Sequence, residues 1–206
     1  MRRAYRRLLA MVMALTLALS GTQIVTAASV ETVNINLTYG QTEARSMLTY
    51  INQFRQSTQE SPITIDSYNY TDYAWYLEED NSTQTVVTGL GTVSYDYGLE
   101  MVAMQRAAEI AVRWAHSRPN GGEWYDVYSE LGLSYSAAGE NLAAGHSSVE
   151  FAFVGLAEKD KEYYDEQGHR RNTLDSRWAY VGIGHVVCNE CHYWAIEYSS
   201  TATGVG

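Results

Sequence analysis

Basic residues are scarce in this chain: 14 Lys and Arg stand against 24 Asp and Glu, for a formal net charge of −10. Nucleic acid and anionic lipid surfaces repel such a chain, which excludes nucleic-acid binding. Cysteine is scarcer still. With only Cys188 and Cys191, the fold cannot depend on disulfides as small secreted scaffolds do. The two bracket Asn189-Glu190, and a local disulfide across that two-residue turn is the expected state. It stands ahead of a metal site completed by His192 or His185, since a structural site usually takes four ligands. It also stands ahead of a redox role, because no basic helix start lies nearby to lower a thiol pKa. Long apolar runs are missing as well. The longest, Leu8 to Leu19, falls short of the ~20 residues that span a bilayer, and no second one follows. Only three Phe accompany 17 Tyr, so the aromatic surface is wet rather than greasy.

The N-terminus carries a targeting segment. Arg2, Arg3, Arg6 and Arg7 form a basic start, the apolar run follows, and Val25-Thr26-Ala27 supplies small residues for cleavage before Ala28. Residues 1–27 are therefore expected to be a signal peptide. Its removal takes away four Arg and no acid, leaving a charge of −14. No cysteine follows the cleavage site to take a lipid. A secreted protein with no membrane span after cleavage is expected, free or associated with the cell envelope.

Residues 28–41 read as a leader with a β-like run, Val33 to Leu37. Thr42 is placed to cap a first helix, in which Ala44, Met47, Leu48 and Ile51 make one apolar stripe. Residues 57–93 change character: Ser, Thr, Asn, Asp and Tyr dominate, and short apolar pairs suggest a partly β insertion. Its Tyr68, Tyr70, Tyr73, Trp75 and Tyr76 either line a sugar- or peptide-binding surface or cover the scaffold, the second being preferred.

A second helix is expected from about Asp96 to Ala115, with Glu109 and Arg113 as an i, i+4 pair. Arg118-Pro119-Asn120-Gly121 stops it and leaves His116 at its C-terminus. A short helix over Trp124–Leu131 follows. Another starts at Ser147 with Glu150 at capping-box spacing, and Glu158 continues its Phe151–Val154 line. Two β-rich runs around Asn189-Glu190 read as a terminal hairpin. Helices first and a hairpin last give an α+β domain over 42–199, with 200–206 as a tail.

Three polar phrases sit at element edges: Ala115-His116-Ser117-Arg118-Pro119-Asn120-Gly121, Gly139-Glu140-Asn141-Leu142-Ala143 and Gly168-His169-Arg170-Arg171-Asn172. Together with Tyr180-Val181-Gly182-Ile183-Gly184 and Tyr193-Trp194-Ala195-Ile196-Glu197-Tyr198, in that order, they resemble the CAP superfamily. This is the family of cysteine-rich secretory, antigen 5 and pathogenesis-related proteins, also called the SCP domain, and the Gly-His-Arg-x-Asn form is similar to its bacterial branch. The resemblance implies a three-layer α-β-α sandwich. It also implies a cavity with two His and two Glu that, in some members, holds zinc or another divalent cation. On the matching motifs the metal set is His116, His169 and Glu140, with Glu158 as the fourth member and Glu162 and Glu166 as its rivals.

The residue types agree with that chemistry. Two neutral imidazoles offer an open site to a divalent ion, and carboxylates add charge or orient the rings. A water held there would make Glu140 or Glu158 a base for hydrolysis. Alternatively, a buried Glu beside a His forms a structural ion pair. Nothing marks a nucleophile: Ser117 adjoins His116 in sequence, but adjacency is not triad geometry. His146, His185 and His192 read as loop or hairpin residues, and Arg170 with Arg171 as a solvated pair.

Three functions follow in order of preference. The first is a secreted binding module for a divalent cation and an extracellular ligand (cell-surface, peptide, glycan or lipid). The second is an envelope- or spore-associated structural protein. The third is a metal-assisted, peptidase-like hydrolase.

Overall fold

The computed structural model describes residues 34–205, so the targeting segment and most of the leader's β-like run lie outside the described residues. The leader enters through β1 (Thr38–Tyr39) and turns at Gly40 into α1 (Gln41–Gln56). Gly40, not Thr42, is the N-cap of α1, and no side chain caps that end. The insertion contains β2 (Ile63–Ile65), β3 (Tyr70–Asp72), β4 (Trp75–Leu77) and β5 (Gln84–Val86), paired as two small antiparallel ribbons. Next come β6 (Ser94–Tyr95), α2 (Tyr97–Val112), α3 (Asp126–Glu130), β7 (Ala138–Ala144), α4 (Val149–Ala157), α5 (Gly168–Thr173), β8 (Tyr180–Cys188) and β9 (Cys191–Ser199).

The main sheet runs β1-β8-β9-β7, and β6 joins β8 in parallel beside β1. Two-residue periodicity sends alternate side chains of β8 and β9 to opposite faces. Val181, Ile183, Trp194, Ile196 and Tyr198 point to one face. There they pack with Met47 and Ile51 of α1 and Ala152 and Leu156 of α4. The other face presents small residues, Gly182, Gly184 and Ala195, to α2. A Cβ on Gly182 would lie 2.1 Å from the Leu99 carbonyl carbon, and one on Gly184 2.2 Å from the Ala103 oxygen. Glycine is what lets α2 approach the sheet backbone so closely. The result is an α+β fold in three layers, α2 on one face and α1 with α4 on the other.

The insertion is tied to this frame. Ile63, Ile65, Tyr70 and Ala74 pack on Phe54, Phe153 and Leu174. Tyr70 and Trp75 are buried, so these aromatics cover the scaffold. Arg170 is wholly buried as well. It pairs with Asp72 at 2.7 Å and donates to the carbonyls of Trp75, Tyr73 and Ala157. The expectation of a solvated Arg170 is therefore wrong, because the insertion folds over that side of α5.

Other local expectations shift for identifiable reasons. Asp96 caps α2 by accepting from Leu99 N, but α2 ends at Val112. Glu109 turns from Arg113 to Arg106 and Arg118, which fix the following loop. Ser148 rather than Ser147 caps α4, and Glu150 accepts from the Tyr50 hydroxyl. Cys188 and Cys191 face each other across the β8–β9 turn as free thiols, in place of the expected disulfide. The turn closes without it: Asn189 and Glu190 both take positive φ, 50° and 64°, which matches the strand twist of a type I′ hairpin.

Candidate functional site

β7 is an edge strand of the sheet, and its residues Gly139, Glu140 and Asn141 form the floor of a cleft of about 360 Å³. Neighbouring strand residues face opposite layers, so Glu140 and Asn141 serve different walls.

On the α2 side, Glu140 Oε1 lies 2.7 Å from His116 Nδ1. Arg106 holds the same carboxylate, with Nε donating to Oε2 at 2.6 Å and Nη2 to Oε1 at 3.3 Å. That guanidinium is fully buried and also donates to the carbonyls of Ala115 and His116. Arg106 thus fixes both partners: the carboxylate and the loop that carries the imidazole. Arg118, bound to Glu109 and Glu130, anchors the far end of that loop. His116 stands beyond the α2 C-terminus, and its side chain is 57% exposed.

On the α5 side, Asn141 donates to the His169 carbonyl at 3.0 Å and accepts from Asn172 at 2.8 Å. Glu158 approaches from the end of α4, where it takes a left-handed backbone, φ 49°. Its Oε1 is 2.6 Å from His169 Nδ1, and its Oε2 accepts from the backbone N–H of His169 and Arg170. One carboxylate therefore orients the ring and satisfies two backbone donors at the start of α5. Glu162 and Glu166 are exposed and make no such contact. Ser117 has no bond to His116 among the described residues; the Nδ1 of that ring is taken by Glu140.

The four expected residues form two His–Glu pairs on opposite walls of one cleft, which His116, Glu140 and His169 line with Trp124 and Asn172. Each glutamate acts on an Nδ1, and neither Nε2 has a protein partner among the described residues. A carboxylate behind each imidazole orients the ring and leaves its Nε2 facing away from that partner. Among the described residues no group of three or more His, Cys, Asp or Glu, these four included, is gathered closely enough to hold a metal ion.

A further acidic residue lies within the Tyr193–Tyr198 phrase, where the sequence reading gives it no role. Glu197 is the β9 residue directly opposite Glu140 in the β7–β9 register, and it is wholly buried. Tyr128 donates to its Oε2 at 3.1 Å, and Oε1 has no partner among the described residues. Burial first, and the Glu140 carboxylate second, push its pKa well above the ordinary carboxylate value. The sequence signal was present: a lone carboxylate within a run of apolar β residues, on the strand face that packs inward.

These motifs lie within residues 87–198, the span matched by the model of the CAP family, described as the cysteine-rich secretory protein family. The match takes in more than half of the chain. The chain belongs to the CAP family.

Among curated proteins, this CAP chain is 25% identical over 132 residues to the uncharacterized protein YkwD of Bacillus subtilis. That match covers 63% of this chain and 47% of YkwD, so the chain spans about half the length of that relative. Among solved structures, it resembles an outer surface protein of Borrelia burgdorferi, with a TM-score of 0.52 and 11% identity over 81% of this chain and 98% of that one. It also resembles venom allergen-like protein 4 of Schistosoma mansoni, with a TM-score of 0.50 and 13% identity over 80% and 92% of the two chains. At these identities the likeness concerns the fold alone. The protein is a CAP/SCP domain of bacterial type.

Proposed function

We propose that this CAP protein acts outside the cytoplasm as a binding module, and that its His116/His169 cleft holds a divalent cation to which an extracellular ligand adds. One observation carries the reading. Two imidazoles, each locked through Nδ1 by a carboxylate, stand on opposite walls of a single open cleft with both Nε2 atoms uncommitted. Secretion rests on the N-terminal basic and apolar segment, and the outer surface location printed for the Borrelia protein agrees with it.

The chain's own residues have separable roles. Glu140 and Glu158 keep their rings oriented and, when ionised, hold the proton on Nδ1, which leaves Nε2 as the donor atom. Arg106 prevents Glu140 from rotating away, and Asn141 keeps α5 in register with β7. A bound cation would supply a Lewis-acidic centre with open positions for ligand oxygens. Trp124 provides an apolar flank beside the pair.

The competing reading is structural, since the Arg106–Glu140 pair alone knits α2 to the sheet. Calorimetric titration with zinc separates the two. The native protein should take up one ion per chain at micromolar concentration, and His116→Ala and His169→Ala should each lose that uptake with melting temperatures close to native. A native protein that binds no ion, together with variants that only melt earlier, would make the pairs structural.

A further inference from the structure

A cleft of about 590 Å³, larger than the His/Glu cleft, lies on the opposite side of α5. His169 and Asn172 of α5 face the first cleft, whereas Arg171, Leu174 and the following Asp175 and Ser176 face the second. Its other wall is the β4–β5 ribbon, with Tyr76, Glu78 and Thr85. Residues 76–86 precede the span matched by the family model, so this cleft joins a common wall to one built by the insertion.

We propose that this second cleft binds an uncharged oligosaccharide. Both walls are fixed before any ligand arrives. Asn81, in the β4–β5 turn, accepts from Tyr164 N at 2.6 Å, and Gln167 accepts from Leu77 N at 2.7 Å. Arg171 donates to the Tyr164 carbonyl, and its guanidinium lies 3.6 Å over the Tyr164 ring. A preorganised wall lowers the ordering cost of binding.

The chemistry on those walls is that of polyol recognition. Tyr76 and Tyr164 offer rigid rings with an apolar body and a polar tip. Arg171 is a planar donor, and Glu78, oriented by the Thr85 hydroxyl, is an acceptor for ligand hydroxyls. The volume lies within the ~300–1,000 Å³ of ordinary ligand pockets.

Charge selects against acidic glycans. Glu78 and Asp175 line the cleft with Arg171, and Arg177 pairs with Asp175 at 2.6 Å, so the lining has no excess of positive charge to draw an anion, on a chain of net charge −10. Peptide addition to the ribbon is disfavoured too, because β5 offers an edge of only three residues, Gln84–Val86.

The test is calorimetric titration of the full chain with chitotetraose, cellotetraose and maltotetraose, with trigalacturonate and tetra-alanine as the charged and peptide arms. At least one uncharged sugar should saturate at one per chain. Arg171→Ala and Ser176→Trp should each weaken it by roughly tenfold or more, about 1.4 kcal/mol. Ser176 is exposed and Trp there fills the cleft without touching the Tyr164 ties, so this variant remains informative if Arg171→Ala perturbs the fold. The proposal is overturned if no uncharged sugar binds, if binding ignores both substitutions, or if only trigalacturonate or tetra-alanine binds.

Discussion

Glu140 and Glu197 are directly opposed on β7 and β9, two carboxyl groups in one buried layer with the Arg106 guanidinium against the first and the Tyr128 hydroxyl against the second. Arg106 is bonded to Glu140 and not to Glu197, so the two acids part in role. Glu140 orients His116, and Glu197 stands behind it with a pKa raised by burial.

This assignment predicts a stability that depends on pH. A carboxyl whose folded pKa is raised stabilises fully below the unfolded value, 4.5, and that contribution is lost as pH rises through the folded pKa. Glu197→Gln keeps the shape and a hydrogen bond while removing the titration. Thermal melts should show the variant more stable than the native protein at pH 8, with the gap closing by pH 4. A variant that is less stable at every pH would contradict a raised Glu197 pKa.

His185 has the opposite sign. It is buried in β8, stacked 3.8 Å from Trp194, with Nε2 2.9 Å from His192 Nδ1 and Nδ1 3.6 Å from Glu43. Burial, and then His192, lower its pKa from 6.5 to about 4. The unfolded chain therefore takes a proton first as pH falls, and stability should drop between pH 6.5 and about 4. His185→Phe keeps the stacking plane and should flatten that part of the profile. An unchanged slope in the variant would assign the loss to other groups.

The close approach of α2 predicts an intolerance to one methyl group. Gly184→Ala places its Cβ against the Ala103 carbonyl, which is backbone and cannot swing aside. Overpacking of this kind should cost at least about 2 kcal/mol in denaturant unfolding. Gly168→Ala, where a Cβ meets nothing within 4 Å, serves as the control and should stay near native. Equal losses in both would argue against the packing account.

The thiols give a direct chemical check. Unfolding without reductant should expose two thiols per chain to a disulfide reagent, with Cys188, the buried one, reacting more slowly in the folded state. A count of zero would restore the cross-turn disulfide.

Several of these features were legible in the sequence and others were not. Ala44, Met47 and Ile51 in α1 and Val149, Ala152 and Leu156 in α4 declared their buried faces through helical spacing, and all six are core residues. The β8–β9 hairpin declared itself through two β-rich runs. β7 did not: Gly139-Glu140-Asn141 looks like a hinge, because two of its residues are polar and their side-chain partners lie 24 to 34 residues away. His116, Glu140 and His169 stand in local phrases that a sequence reading singles out. Arg106 was hidden inside an ordinary helix pattern, since only tertiary packing turns it toward Glu140. Arg170 was misread for the same reason: its partner, Asp72, lies 98 residues earlier in an insertion whose packing no local pattern reveals.

In the proposed site His116 and His169, each oriented by a glutamate, present Nε2 to one ion. X-ray absorption on the zinc-loaded native protein tests it most directly. The account predicts a nitrogen and oxygen shell near ~2.0–2.1 Å with the scattering signature of about two imidazoles, lost in His116→Ala and His169→Ala. A sulfur shell near ~2.3 Å, or bound zinc without imidazole scattering, would contradict it.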